Sequence, residues 1–490
     1  MGGKGKEPKK LTQEQVFTLY QAGPEAIFSL VEYLQHDIEN LQNNIQQLHE
    51  RLQEVERQLK MNSRNSNKPP SSDGMKKIPK VRKPTGKKPG GQKGHEGNTL
   101  KMVAKPDKVK VHKVECCGSC SNSLKDKQAT GYDRRQVFDT PPIKVEVIEH
   151  RAEIKECDAC GAVTTAEFPD DITHKVQYGP RLKANAVYIK NYALLSYDRA
   201  AELFEDLFGV PLSAGTLVNI DRETGKRLEE VNERIKEAIS DSPIVHFDET
   251  GMRISGKLHW LHVAGTEVLT YYQPHEKRGG IAFDDIGILP LFEGRAVHDG
   301  WKSYFNYSCE HGLCNAHHLR ELTAAHEQYE QPWAQQMIDF LLEVKQKRDK
   351  SKGKKFAAKT IQGFEQRYRR ILEMGMEANP PPAETPGKKK RGRKKKSKVR
   401  NLLERLQQHQ EAVLAFMYDF SVAFDNNLGE RDIRMMKVQQ KISGTFRSFE
   451  GARTFCKIRS YISTSKKQGL NVISCLQEIY AGKYLLSQIC

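Results

Sequence analysis

Three carboxylates, Asp248, Asp299 and Glu430, stand in three separate blocks: Ile-Val-His-Phe-Asp-Glu-Thr, Arg-Ala-Val-His-Asp-Gly-Trp and Asn-Asn-Leu-Gly-Glu-Arg-Asp-Ile-Arg. The first two each close a short apolar run, where a strand stops and its last side chain can face a cleft. The third opens a helix-like stretch studded with arginines. Two strand-end aspartates and a helical glutamate can meet in space and hold two divalent cations. Such a pair activates an attacking oxygen and stabilises a leaving one in phosphodiester chemistry. Magnesium, or manganese in its place, suits the task because it binds few carboxylates and keeps the rest of its octahedron for water and phosphate. Glu249, Asp284 and Asp285 are rival acids. Glu249 follows Asp248 directly and on a strand points to the opposite face, while Asp284 and Asp285 lie in a helical piece without a strand end.

The elements that must position these acids are legible in the pattern. Strands are expected over Ile244 to Asp248, Lys257 to Ala264 and Val268 to Gln273, then a helical piece from Gly280 to Leu289. A fourth strand, Arg295 to His298, ends at Asp299. A brief fifth lies near Gly312 to Asn315, and a helix begins around His317. Upstream, Pro180 to about Leu228 has helical periodicity, with a turn at Gly209-Val-Pro-Leu-Ser213 and an N-cap at Ser213. Helix, turn, helix is compatible with a DNA reader and equally with ordinary helical packing.

The chain has 490 residues and 55.9 kDa, enough for two to four domains, with a net charge of +17 and a pI near 9.2. That excess favours a polyanionic partner, nucleic acid or an anionic membrane surface. No stretch approaches the roughly 20 apolar residues that span a bilayer, and the basic start lacks a signal-peptide core. Lys6 and Glu7 also make a poor myristoylation site. The expectation is a cytoplasmic nucleic-acid-binding protein.

Of ten cysteines, five cluster between Cys116 and Cys160. Cys117-Gly-Ser-Cys120 and Cys157-Asp-Ala-Cys160 form two CxxC knuckles, which can supply four thiolates to a structural zinc. Cys116 could replace Cys117 by a register slip, although the two-residue spacing favours Cys117. Segments around Gln136 and from Lys144 alternate like the strands of a zinc ribbon.

Near the start, Ile27, Val31, Leu34, Ile38, Leu41, Ile45, Leu48, Leu52, Val55 and Leu59 recur in alternating steps of four and three. This heptad seam predicts self-association through a coiled coil. Residues 61–105 are polar and basic, and read as a tether. Lys388 to Arg400 is a dense charge run suited to sequence-independent phosphate contact. Within it, Lys390-Arg-Gly-Arg-Lys394 weakly matches a minor-groove hook that lacks its proline.

The blocks Asp248-Glu-Thr, Asp299-Gly-Trp-x-x-Tyr, Cys314-Asn-Ala-His-His-Leu-Arg-Glu-Leu and Asn426-Asn-Leu-Gly-Glu-Arg-Asp-Ile-Arg, with Ser443-Gly-Thr-Phe-Arg-Ser, resemble the IS66 family of insertion-sequence transposases. The coiled coil, the Asn/Ser/Pro-rich tether and the paired CxxC segment resemble that family's N-terminal half in the same order. The resemblance implies a bacterial DDE transposase with Asp248, Asp299 and Glu430 as its metal-binding triad. It acts on double-stranded DNA, with co-encoded accessory proteins as further partners and a nucleoid location when DNA-bound.

The expected fold is α/β, an RNase H-like core in which the ends of the first and fourth strands are neighbours. The order is leader and coiled coil 1–60, linker 61–105, zinc ribbon 106–175, helical segment 176–240, core 241–326, helical and basic insertion 327–401, and core 402–490. His317, Arg431, Arg434, Lys437 and Arg447 are expected beside the site or on the DNA path. Arg434 shares a helix face with Glu430 at i, i+4. Cys314-x-x-His317, with Cys309 and His318 nearby, could instead be a second zinc site. Two other readings stay open: a non-catalytic DNA-binding regulator with an idle core, and a nuclease of the same fold.

Overall fold

The computed structural model describes residues 12–66, 73, 99–381 and 396–484. The basic leader, most of the expected tether and the bulk of the Lys388–Arg400 run, including the hook-like Lys390–Lys394, lie outside them. Helices α1 (Gln13–Gln21) and α2 (Pro24–Leu59) come first, then the short strands β1 (Ile154–Glu156) and β2 (Val163–Thr165). Next are α3 (Pro180–Val187), α4 (Tyr197–Phe208), α5 (Ala214–Arg227) and α6 (Glu229–Ser240). A sheet region follows: β3 (Ile244–Ile254), β4 (Lys257–Gly265), β5 (Thr270–His275), α7 (Gly280–Ile286), β6 (Arg295–His298) and β7 (Glu310–Leu313). Helices α8 (Asn315–Tyr329), α9 (Pro332–Lys350), α10 (Ala358–Ala378) and α11 (Lys398–Gln408) come after it. Two short helical turns (Gln410–Val413 and Ala415–Tyr418) lead to α12 (Asn427–Ser443), α13 (Phe449–Lys467) and α14 (Val472–Tyr480).

The chain divides into two compact units. Among the described residues, one comprises 12–66, 73, 315–381 and 396–410, the other 99–314 and 411–484. The expected insertion therefore starts earlier and ends later than 327–401. Helix α8 packs along α9, and α11 along α10, so both belong to the helical unit. Its interior is built from Trp333, Met337, Phe340 and Leu341 of α9, Tyr368 and Leu372 of α10, and Leu402, Leu403 and Leu406 of α11. A Cβ at Gly375 would lie 2.5 Å from Leu403 and 2.9 Å from Trp333, so α10 approaches its neighbours closely only because this residue has no side chain. Within the same unit α2 is one continuous helix, about 54 Å long by its rise per residue. Its seam side chains, Ile27 to Leu59, are all exposed.

In the other unit five strands form a mixed sheet in the order β5-β4-β3-β6-β7. Strand β3 is antiparallel to β4 and parallel to β6; β4–β5 is antiparallel and β6–β7 parallel. The β3–β4 hairpin closes through Ser255 (φ 48°) and Gly256 (φ 77°), left-handed at both positions as a tight hairpin turn demands. Strand β3 runs six residues past Asp248, beyond the expected end. It does so because Met252 and Ile254 continue the alternation and are buried against β4 and α12. Both sheet faces are covered. Met252, Val263 and Tyr272 pack with Ile433 and Met436 of α12, and Phe247, Ala264 and Tyr271 pack with Phe283, Phe292 and Tyr304.

The helix-turn-helix spacing is realised. Gly209 (φ 65°) ends α4, and the Ser213 hydroxyl caps α5 by accepting the Thr216 N–H at 3.1 Å. Helix α5 buries one side against α13: a Cβ at Gly225 would stand 3.0 Å from Thr454. Asn219, Arg222 and Lys226 remain exposed on α5, and Glu202, Glu205 and Asp206 on α4. Around the CxxC segments β1–β2 forms a short ladder flanking the second knuckle, and an antiparallel bridge between Cys116 and Ser123 flanks the first. Of the segments expected as strands, 136–142 and 144–154, only Ile154 enters a ladder among the described residues, and Val147 and Ile148 are exposed. Alternation alone does not make a strand without a partner edge. No helix among the described residues is long and apolar enough to cross a membrane.

Candidate active site

The β3–β6 register pairs Ile244 with Arg295 and His246 with Val297. Continuing it by two residues sets Asp248 level with Asp299, immediately past the point where β6 stops. Asp248 is thus at the end of its parallel pairing rather than at the end of its strand, and it is half-buried there. Asp299 is fixed by a tight turn: Gly300 has φ 88°, and the Trp301 N–H donates to Asp299 Oδ1 at 2.8 Å.

Glu430 enters from α12, which covers the Asp248 face of the sheet. Asn426 precedes that helix and is almost fully buried. Its Oδ1 lies 2.8 Å from His246 Nδ1, and its Nδ2 donates to the Phe247 carbonyl at 2.8 Å. His246 shares the face of Asp248 at the two-residue period of a strand. The start of the helix is thereby tied to the strand one step before the first carboxylate. A Cβ at Gly429 would press within 3.1 Å of the Asn426 amide, so the residue before Glu430 has to be small. Farther along, Lys437 Nζ and Gln440 Nε2 donate to the Gly251 carbonyl at 3.2 and 3.1 Å.

The three acids feel one another. Burial pushes the Asp248 carboxyl up to about 8, and the negative charges of Glu249, Asp299 and Glu430 add to that rise. Glu430 Oε1 is buried and finds no hydrogen-bond partner among the described residues, while Oε2 lies 3.8 Å from Arg434 Nη2. A buried carboxylate oxygen without a donor is costly unless a cation takes it. The three acids offer carboxylate oxygens, which hard divalent cations prefer; among the described residues they do not all come within 4.8 Å of one another, and Cys314 Sγ lies within that distance of a Glu430 oxygen. By ligand type, rather than by a closed set of ligand distances, these acids suit magnesium or manganese.

The rival acids go elsewhere. Asp284 accepts the Tyr307 hydroxyl at 2.6 Å, and Asp285 pairs with His275 at 2.9 Å. Glu249 faces away from Asp248 as strand alternation requires, yet it is not idle. It is buried, accepts Arg278 Nε at 2.8 Å and the Tyr304 hydroxyl at 2.7 Å, and its carboxyl is raised by burial and by Asp299. Arg278, in turn, brings Nη2 to 3.7 Å from Asp299 Oδ2.

Of the residues expected around the triad, Arg434 sits beside Glu430 as the i, i+4 spacing implies, and Lys437 ties α12 to β3. Arg431 and Arg447 are exposed, and the Arg447 carbonyl accepts the Ser255 hydroxyl at 2.8 Å. Cys314 is buried in the sheet unit, with its sulfur 3.1 Å from the Asn426 N–H. His317 belongs to the helical unit, in the first turn of α8. Next to it His318 is buried, and desolvation lowers its pKa to about 3. Sequence reasoning missed Asn426, His246, Arg278 and Tyr304 as parts of the site. Counting back two residues from Asp248 would have found His246; nothing local marks Arg278.

At the cysteine segment each knuckle is formed by itself. Backbone N–H groups of Ser119 and Cys120 lower the Cys117 thiol, and those of Ala159 and Cys160 do the same for Cys157. Such thiols are disposed to ionise and bind a soft-tolerant cation. Among the described residues no three of the cysteines converge to ligand distance, so the expected tetrahedron of Cys117, Cys120, Cys157 and Cys160 is present as two separate halves.

Comparison with known proteins bears on each segment. Residues 175–454, more than half of the chain, match the family model described as the transposase IS66 family. Residues 115–161 match the zinc-finger binding domain of transposase IS66, which supports structural zinc, and residues 23–101 match a family of unknown function. No curated protein matches the chain.

Proposed function

The chain belongs to the IS66 family of transposases, and from that premise we propose that it is a DDE-type enzyme cutting and joining double-stranded DNA. Asp248, Asp299 and Glu430 hold its catalytic magnesium or manganese. The observation that carries this reading is the register that levels Asp248 with Asp299, with Glu430 close enough to raise the Asp248 carboxyl. An RNase H-like core is supported by the strand order β5-β4-β3-β6-β7, in which only the second strand of the five, β4, opposes the rest.

The reaction consists of two in-line phosphoryl transfers at one site. Water attacks the phosphodiester at the element's end and frees a 3′-hydroxyl; that hydroxyl then attacks target DNA, displacing another 3′-oxygen. When bound, two divalent cations supply Lewis-acid activation of the attacking oxygen and charge neutralisation at the leaving one. The chain's own part is placement. Asn426 and His246 lock the Glu430 helix to β3, the turn at Gly300 aims Asp299, and Arg434 steadies Glu430. Arg431, Lys437, Lys441 and Arg447 line a basic surface for the DNA backbone. On α5, Arg222 and Lys226 are suited to phosphate contact, whereas the acidic side chains of α4 are not.

The remaining assignments complete the proposal. Cys117, Cys120, Cys157 and Cys160 bind one structural zinc, for which the preformed knuckles speak. Helix α2 forms a coiled coil with a second copy of the chain, for which its continuous exposed seam speaks.

The test is cleavage and strand transfer on DNA carrying the element's own ends, comparing wild type with Asp248→Ala and Glu430→Ala. Loss of activity in both variants, with DNA binding retained, is the expected result. Activity surviving either substitution would overturn the triad. An inert wild type, even with co-encoded accessory proteins added, would shift the reading to a DNA-binding regulator.

A further inference from the structure

Arg278 is the most constrained cation near the carboxylate cluster, and no step of the reaction above uses it. It lies on the loop between β5 and α7, on the sheet face opposite Asp248. Its Nε is held by buried Glu249 at 2.8 Å. Glu249 is itself held by the Tyr304 hydroxyl at 2.7 Å, and Tyr304 is fully buried and stacked on His298 with ring centres 4.3 Å apart. The guanidinium also rests against Trp301, 4.1 Å from the ring centre, and Trp260, at 5.0 Å. The backbone beside it is tightly fitted: a Cβ at Gly279 would meet Ser303 Oγ at 3.0 Å and Trp301 Nε1 at 3.9 Å. A side chain with this many restraints has lost most of its rotamer freedom before any ligand arrives.

The far end of this guanidinium does not serve Glu249. Nη2 points at the carboxylate cluster and stops 3.7 Å from Asp299 Oδ2, an ion-pair distance too long for a hydrogen bond. Neutralising Glu249 would not require that reach, nor two tryptophans to hold the fork in one orientation. A planar, permanently charged fork with Nε occupied and its side chain 30% exposed matches a phosphate oxygen.

We propose that Arg278 is a substrate-contacting residue, a preorganised guanidinium that takes a non-bridging oxygen of a DNA phosphate at or next to the cut. This rests on the reading of Asp248, Asp299 and Glu430 as the catalytic site. Glu249, Tyr304, Trp260 and Trp301 are its positioning residues.

The experiment is a cycle between enzyme and substrate, read as DNA binding. Duplexes carrying the element's own end receive a neutral methylphosphonate at each successive phosphate around the cut. Affinities for wild type, Arg278→Gln and Arg278→Lys are measured by fluorescence anisotropy in calcium, which takes oxygen ligands without magnesium's strict octahedron. Arg278→Gln should lose about 10- to 100-fold in affinity, the range of a charge-assisted hydrogen bond. At one phosphate, neutralisation should weaken wild type by a similar factor and Arg278→Gln hardly at all. Arg278→Lys keeps the charge opposite Glu249, so it carries the measurement if the glutamine variant does not fold; it should show a clearly smaller response than wild type at that phosphate. Additive losses at every position would mean that Arg278 merely neutralises Glu249, and would overturn the proposal. Cleavage by Asp248→Ala, assayed alongside in magnesium, separates the two failures. Additive losses with Asp248→Ala inactive sink Arg278 alone, whereas an active Asp248→Ala sinks the carboxylate site and this proposal with it.

Discussion

Replacing Asp248 with asparagine should make the magnesium-free protein more stable while abolishing its activity. Three carboxylates converge where burial alone already disfavours charge, and the Asp248 carboxyl rises from 3.8 to about 8. The folded side chain therefore keeps its proton up to about pH 8, whereas the unfolded one releases it near pH 4. Between those values the folded state binds the extra proton, so stability from this group is full below pH 4 and is lost as pH climbs towards 8. Converting that difference gives a ceiling of about 4 kcal/mol at pH 7, and solvent screening at this half-buried position brings it to roughly 2 kcal/mol. An amide of the same shape carries no charge to penalise. At roughly 1–2 °C per kcal/mol for a folding unit of this size, Asp248→Asn should melt roughly 2–4 °C above wild type at pH 7. The gap should narrow towards pH 5, about one pH unit above the unfolded value, where the penalty of holding the proton in the folded state is small. Thermal unfolding from pH 5 to 8 measures this, in magnesium-free buffer without a chelator that would also strip zinc. Added magnesium should stabilise wild type and leave the variant nearly unmoved. Wild-type melting that is flat or rising across this range, or a variant no more stable at pH 7, would refute the reasoning.

Asn426→Ala removes the amide that joins the Glu430 helix to His246 and the Phe247 carbonyl, so it should cost about 2–3 kcal/mol in urea unfolding and lower the cleavage rate. Unchanged cleavage would show that α12 needs no such tie. For the cysteine knuckles, purified protein should contain zinc by elemental analysis, and chelation should open residues 115–161 to trypsin; metal-free protein indifferent to chelators would end that assignment. In the helical unit, Leu41→Asp with Leu48→Asp places charge in the middle of the α2 seam. Light scattering at micromolar concentration should then report a monomer where wild type is oligomeric, and an unaltered mass would exclude α2 as the contact.

Local signals proved readable where neighbours within one turn or one strand decide the outcome. Gly209 and Ser213 end one helix and start the next as their backbone preferences dictate. The starts of β3 and β4, the span of β6 and the start of α7 fall where apolar alternation and turn residues set them. The seam of α2 runs without a break from Ile27 to Leu59, and beyond Leu34 the residues between its apolar positions are polar or charged. The errors share one cause. Strand β3 was expected to end at Asp248, yet pairing with β4 carries it to Ile254, and residues 136–152 alternate like a strand but meet no edge. Helices α8 and α11 read as core by position, and packing assigns them to the helical unit.

By itself the sequence determined which residue types are available for chemistry: two aspartates after short apolar runs, one glutamate in the first turn of a helix, and two thiol knuckles. These depend on side-chain chemistry and on spacings of two to four residues, which local backbone geometry reads directly. Only the tertiary structure decided that Asp248 and Asp299 are level across a parallel pair, that Asn426 reaches back to His246, and that Glu249 acts through Arg278 from the far face of the sheet. Those relations join residues tens to hundreds of positions apart. They are set by sheet register and helix docking, for which no stretch of sequence carries a local signal.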